Sequence, residues 1–203
     1  MGGGAGGVNN ALTHFLSSDP VFLEIMEIGK ALKQIDRTLF FENCLFTTSS
    51  SDNFRVNASG FNHAVFVGCT FRSSQTGSGF SLVGGSSHGI SFHGCRAEEN
   101  AIDGFTFSGR RGNHASFHGV YLEHNSGAGI NLGTTAPAWN SDADFMEACS
   151  ISGLTAWEQG LSAVQAQKCI GVTVSGVSVG ADVAGFFTSG AIRPGWGRSE
   201  ERR

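Results

Sequence analysis

The segments GFSLVG (Gly79 to Gly84), GFTFSG (Gly104 to Gly109) and GINLG (Gly129 to Gly133) recur at a spacing of 25 residues. FHGC (Phe92 to Cys95) and FHGV (Phe117 to Val120) lie between them, again 25 apart. A fixed period of this length is the signature of a solenoid, in which each repeat buries its apolar face by stacking on its neighbours. The pattern extends outward through FENC ending at Cys44, FVGC at Cys69, MEAC at Cys149 and VSGV at Val177, in steps of 25, 26, 25, 29 and 28, which gives about six coils.

Inside each repeat the apolar residues alternate at period two, as in Ile90 and Phe92 against Ser91 and His93. That alternation marks strands with one buried face, and Phe, Val, Ile and Thr suit such a pleated surface. Phe41 and Cys44, Phe66 and Cys69, and Phe92 and Cys95 are instead three apart. Two inward strands therefore meet at a one-residue bend, at Asn43, Gly68, Gly94, Gly119 and Gly176, residue types that tolerate a left-handed backbone. Each coil reads strand, corner, strand, loop, third strand, loop. The fold class is all-β, a single-stranded parallel β-helix spanning residues 37–190.

The F-x-N-C-x-F pattern of Phe41 to Phe46, its variants Phe66 to Phe71 and Phe92 to Ala97, and the loops Glu98 to Phe105 and Glu123 to Ile130 resemble the right-handed β-helix of the pectate-lyase-like superfamily. That group includes pectate lyases, polygalacturonases, mannuronan epimerases and phage tailspikes. The resemblance implies right-handed winding and a polysaccharide ligand along the third strand and its loops. It implies no particular chemistry, because one scaffold hosts many activities.

The flanks read differently. Residues 1–7 are a glycine-rich tail. Residues 8–36 are expected to be helical: Asp19 and Pro20 make an N-cap and first turn, and Phe22, Ile25, Met26, Gly29, Leu32 and Ile35 fall on one face. Such a helix would cap the open edge of the first coil. Residues 191–203 form a C-terminal tail, so the last coil is expected to be covered by Trp196 or to make an end-on subunit contact, as in a homotrimer.

The net charge of −4 argues against nucleic acid, which calls for a basic stripe. No apolar run reaches the length of a membrane span, and no secretory signal is visible. The function implied is extracellular or virion-associated, with a cytoplasmic location as the alternative. No cofactor or metal is expected: interchange with valine makes Cys44, Cys69, Cys95 and Cys149 a row of buried thiols. His93 and His118, and the cluster His63, His88 and His114, read as stacked polar side chains rather than metal ligands.

Candidate chemistry concentrates on the third strand. Arg55, Asn57, Ser81, Thr106, Ser108 and Asn131 point outward from it, Glu99 and Asp103 precede it, and Arg110, Arg111 and His114 follow it. The insertion Thr134 to Asp144 adds Trp139, Asp142 and Asp144, and Leu154 to Gly160 reads as a second insertion with Trp157 and Glu158. Asp103, Asp142, Asp144, Arg110 and His114 are the candidate catalytic groups. Paired carboxylates suit a glycosidase, and a base with nearby cations suits a uronate lyase or epimerase. Arg55, Asn57, Thr106, Arg111, Asn131 and Trp139 are the candidate polysaccharide contacts, the tryptophan stacking on a sugar face. The alternative is a noncatalytic structural or adhesion module such as a phage tail or cell-surface component.

Overall fold

The computed structural model describes residues 39–56, 63–83, 88–108, 114–133, 146–167, 169–180 and 185–189. The tails 1–7 and 191–203 and the helical cap at 8–36 lie outside them.

Alternating strands wind into a parallel β-solenoid whose walls are three sheets, each of six strands. The first sheet takes Leu39–Glu42, Ala64–Val67, Ile90–His93, Ala115–His118, Ser150–Ser152 and Thr173–Ser175. The second takes Leu45–Thr47, Thr70–Arg72, Arg96–Glu98, Tyr121–Glu123, Thr155–Trp157 and Ser178–Val179. The third takes Phe54–Val56, Phe80–Val83, Phe105–Ser108, Ile130–Leu132, Ser162–Ala166 and Gly185–Ser189. A short pair, Met146–Glu147 and Cys169–Ile170, lies ahead of the first sheet in the last coils.

Register explains the motifs. Phe41, Phe66, Phe92 and Phe117 are partners on successive rungs, and their rings stack at 4.7, 5.0 and 5.0 Å. Phe46 stacks on Phe71 and Phe54 on Phe80, so three columns of rings fill the early interior. Edge-to-face contacts between columns, such as Phe92 with Phe105 at 4.9 Å, lock them together. The corner residues Asn43, Gly68, Gly94, Gly119, Gly153 and Gly176 all have φ between 52° and 63°. A second left-handed column follows the second sheet: Thr48, Ser73, Glu99, His124 and Glu158.

Asparagines carry the polar load beside that second corner. Asn53 Nδ2 donates to Asn100 Oδ1, Asn100 Nδ2 to Asn125 Oδ1, and Asn125 Nδ2 to Gln159 Oε1, at 2.8 to 3.0 Å. The same amides donate to strand carbonyls, for example Asn100 to Phe71 and Asn125 to Ala97. Asn100 and Asn125 thus serve the corner structurally, tying each coil to its neighbours.

The six-coil expectation, with its last steps of 29 and 28 residues, gives way to about four regular turns. Interior partners of the first sheet step by 25, 26 and 25 residues from Phe41 to Phe117, then by 34 to Ile151 and 23 to Val174. The reason is that Cys149 is not an anchor. Leu154 follows the corner Gly153 and occupies the place of Cys44, Cys69, Cys95 and Val120. Cys149 sits instead in line with Ala115, at the entry to the first sheet. Nor is Leu154 to Gly160 an insertion: Thr155–Trp157 continues the second sheet in register with Tyr121–Glu123.

Candidate functional site

Asp103 precedes a strand of the third sheet and turns back over it. Only 4% of the residue is exposed. Its Oδ1 accepts from the Ala128 backbone N–H at 2.8 Å, and its Oδ2 from Thr106 Oγ1 and Asn131 Nδ2, each at 2.9 Å. Ser78 Oγ lies 2.7 Å from Thr106 Oγ1 and extends the chain by one rung. The register does place Arg55, Ser81, Thr106, Asn131 and Gln165 in one outward column. Ser81 and Thr106 are nonetheless buried, since the Asp103 and Ser78 side chains engage this face. Asn131 Oδ1 is left buried without a hydrogen-bond partner. Arg55 is exposed and lies 3.7 Å from Asp52, whose carboxylate accepts the Ser78 N–H as Asp103 accepts that of Ala128. His114 is exposed at the start of a first-sheet strand, its ring 5.8 Å from that of His88. Asn57, Arg110, Arg111, Trp139, Asp142 and Asp144 lie outside the described residues. The structure therefore joins Asp103, Thr106 and Asn131 in one hydrogen-bonded cluster, away from His114.

A second face gathers more exposed chemistry. Along the second sheet, Thr47, Arg72, Glu98, Glu123 and Trp157 form one outward column. Leu45, Thr70, Arg96, Tyr121 and Thr155 form the other. The left-handed corner beside them adds Glu99, His124 and Glu158. Trp157 is 44% exposed. Its neighbour on the next rung is Gly180, whose backbone donates to the carbonyl of Ala156, and the indole ring lies so close over this glycine that a Cβ there would fall 2.3 Å from it. The tryptophan is thus supported from one side by bare backbone and open to solvent on the other.

Pairwise contacts hold the polar groups of this face in place. Arg72 donates to both oxygens of Glu99 at 2.8 and 3.1 Å, and Ser73 Oγ adds a third bond at 2.9 Å. These contacts hold the Glu99 carboxyl below its ordinary range and raise the Arg72 guanidinium. Arg96 lies 5.2 Å over the Tyr121 ring and 3.5 Å from Glu98. Tyr121 donates to Glu123 at 3.0 Å; partial burial and that bond raise its phenol above the usual value. His124 pairs with Glu158 through Nε2 and lies 3.6 Å from Glu123 through Nδ1. The face thus sets an exposed indole beside carboxylates, guanidinium groups and a phenol on rungs ~4.8 Å apart. Such a set presents an apolar aromatic surface beside charged hydrogen-bond donors and acceptors.

Arg72, Glu98 and Glu123 share one outward column, in which the arginine offsets the stacking of like charges. Reading Leu154 to Gly160 as an insertion hid the place of Trp157 at the end of that column. The signal was present as T-A-W at the spacing of Y-L-E, once ISGL rather than MEAC is taken as the anchor. Among the described residues no group of three or more His, Cys, Asp or Glu is arranged to hold a metal ion. No described helix is long and apolar enough to cross a membrane.

A family model described as a right handed beta helix region matches residues 25–179. None of the curated proteins matches the chain.

Proposed function

We propose, for a chain that belongs to the right-handed β-helix family, a polysaccharide-binding role carried by the outer face of the second sheet. The observation behind this reading is the exposed Trp157 ring, backed by Gly180 and in register with Glu123, Glu98 and Arg72. A glycan laid along the solenoid axis would stack one sugar on the indole. Its hydroxyls would meet the carboxylates and guanidinium groups of successive rungs. The working location in this reading is extracellular or virion-associated, and end-on subunit contacts would make the binding multivalent.

The reading favours binding without turnover, as in an adhesion or tail component. The observation for this is Asp103, whose two oxygens are already taken by three donors and which has almost no contact with solvent. Cleavage or epimerisation, if present, is assigned to the loops of the third sheet, with Asp142, Asp144, Arg110 and His114 as its groups and Asn57, Arg111 and Trp139 as contacts.

A glycan array with the purified protein identifies the ligand, and product analysis on each hit separates binding from turnover. Trp157→Ala is expected to weaken binding of the best hit about tenfold, a loss of the size aromatic stacking supplies. Its melting temperature should stay close to that of the parent, because the ring stands outside the core. An unchanged affinity in that variant would remove the second-sheet face from the proposal.

A further inference from the structure

The outer face of the first sheet takes no part in that reading and has a chemistry of its own. Its two outward columns are Phe40, Val65, Ser91, Ser116, Ser150 and Thr173, and Glu42, Val67, His93, His118, Ser152 and Ser175. Hydroxyls and imidazoles dominate from the third rung onward. The His93 and His118 rings are stacked, with centroids 5.0 Å apart and planes inclined by 19°. His118 Nδ1 shares a 2.7 Å hydrogen bond with Ser152 Oγ, which anchors the ring on the next rung. The corner beside the column has no wall: a Cβ on Gly94 would meet nothing within 4 Å, and one on Gly119 only a backbone nitrogen at 4.0 Å.

The charged surroundings are sparse. Glu42 is the only carboxylate among the described outward residues of this sheet, and it stands two rungs from His93, ~10 Å away. Around the corner, Arg96 is 3.5 Å from Glu98 and Tyr121 donates to Glu123. At the entry of the same strands His63, His88 and His114 are all exposed, with the last two rings 5.8 Å apart. Acidification adds positive charge to imidazole side chains. Two stacked imidazolium rings repel one another, and among the described residues no carboxylate stands beside them to offset that charge. An anion from outside would.

We propose that the His93–His118 column, continued by the hydroxyls of Ser152 and Ser175, is an acid-gated binding site for a sulfated polysaccharide. Sulfate esters keep their full charge throughout the histidine range, so a pH dependence of their binding reports the imidazoles alone. One sulfate meets the imidazolium pair, and the chain runs on along the rungs, accepting hydrogen bonds from the serine hydroxyls. Binding and protonation are linked, so affinity should rise about tenfold per pH unit for each proton taken up.

The test is calorimetric titration with dextran sulfate and with uncharged dextran, at about pH 5.5 and about pH 7.5, the two sides of the histidine range. Dextran sulfate should bind at least about tenfold more tightly at the lower pH, with one linked proton setting that minimum. His93→Gln with His118→Gln should abolish the gain, while His124→Gln, on the second-sheet side, should keep it. Should the double variant fold poorly, His93→Gln alone serves, since the described hydrogen bond belongs to His118. Equal affinity at both pH values overturns the proposal, as does a gain that survives the double substitution. Equal binding of uncharged dextran at the lower pH also overturns it and returns the interaction to the aromatic face, leaving the second-sheet reading intact.

Discussion

Gly129 has no room for a methyl group. A Cβ there would lie 2.4 Å from Leu122 Cδ1 and 2.7 Å from the Ala163 carbonyl oxygen. Gly79 and Gly104, two coils and one coil earlier, are similarly pressed against the next coil's backbone, at 2.7 and 2.5 Å. The glycine that opens each G-F or G-I motif is therefore required by close stacking, whereas Gly94 is required by its φ of 59° in otherwise open space. The thiols show what burial does to an ionisable group at this scale. Burial pushes Cys149 up to about 11, and burial together with the neighbouring Cys149 thiol pushes Cys169 up to about 12, both from an ordinary value of 9.0. The folded state holds these protons more tightly than the unfolded chain does. Their stabilising effect is therefore complete below about pH 9 and is lost as pH climbs toward about 11. For Cys149 the two-unit difference corresponds to about 3 kcal/mol. Urea midpoints should fall steeply between about pH 9 and about pH 11, and Cys149→Ala should flatten that fall while lowering the midpoint at neutral pH. A parent protein with equal midpoints across that range would show that these thiols are not buried in the folded state.

At the scale of elements, the turn that leads into the third sheet at Asp103 shows how far pattern reading reaches. Asp103→Asn is conservative in shape but not in bonding. The carboxylate accepts three hydrogen bonds, and an amide must turn its NH2 toward at least one of the same donors. The substitution is expected to cost roughly 2–4 kcal/mol, the size of charge-assisted bonds lost in a buried cluster. Chemical denaturation of the variant measures it, and an unchanged midpoint would mean that the carboxylate does not hold this turn together. Parity in the sequence correctly placed Ser81, Thr106 and Asn131 outward on one column. It could not show that Asp103 bends back to bond Thr106 and Asn131, because alternation reports which face a side chain leaves from and not what folds over it. The Cys149 assignment failed for a related reason. MEAC matches the cysteine of the other anchors but not their geometry, and the corner glycine of ISGL decides the register instead. Period-two alternation and left-handed corners were legible because each is a local backbone property. The exposure of Trp157 depended on a glycine one rung away, at residue 180, which no local pattern reports.

Across the whole molecule, stability runs along the axis. Each coil pairs with the one before and the one after, and the phenylalanine columns, the amide ladder and the three sheets all repeat that nearest-neighbour rule. A coil should then be removable if both cut ends belong to equivalent positions. Deleting residues 92–116, one 25-residue period, joins Ser91 to Phe117 and leaves the inward order Ile90, Phe117, then the corner Gly119 and Val120. Phe66 would stack on Phe117, Phe71 would meet Leu122, and Phe80 would meet Ile130, each an apolar partner of the kind it has now. Deleting residues 92–115 instead joins Ser91 to Ser116 and puts Ile90 and Phe117 on opposite faces of one four-residue strand. Because side-chain parity has a period of two, that single residue forces either Ile90 outward or Phe117 out of its column. The longer deletion should fold cooperatively with a lower melting temperature, having lost one set of stacking contacts. The shorter should lose its cooperative transition, the cost of exposing an aromatic side chain and opening a cavity being about 3–5 kcal/mol. Thermal melts followed by circular dichroism separate the two, and equal behaviour would mean that the loops, rather than the strand register, absorb the change of length.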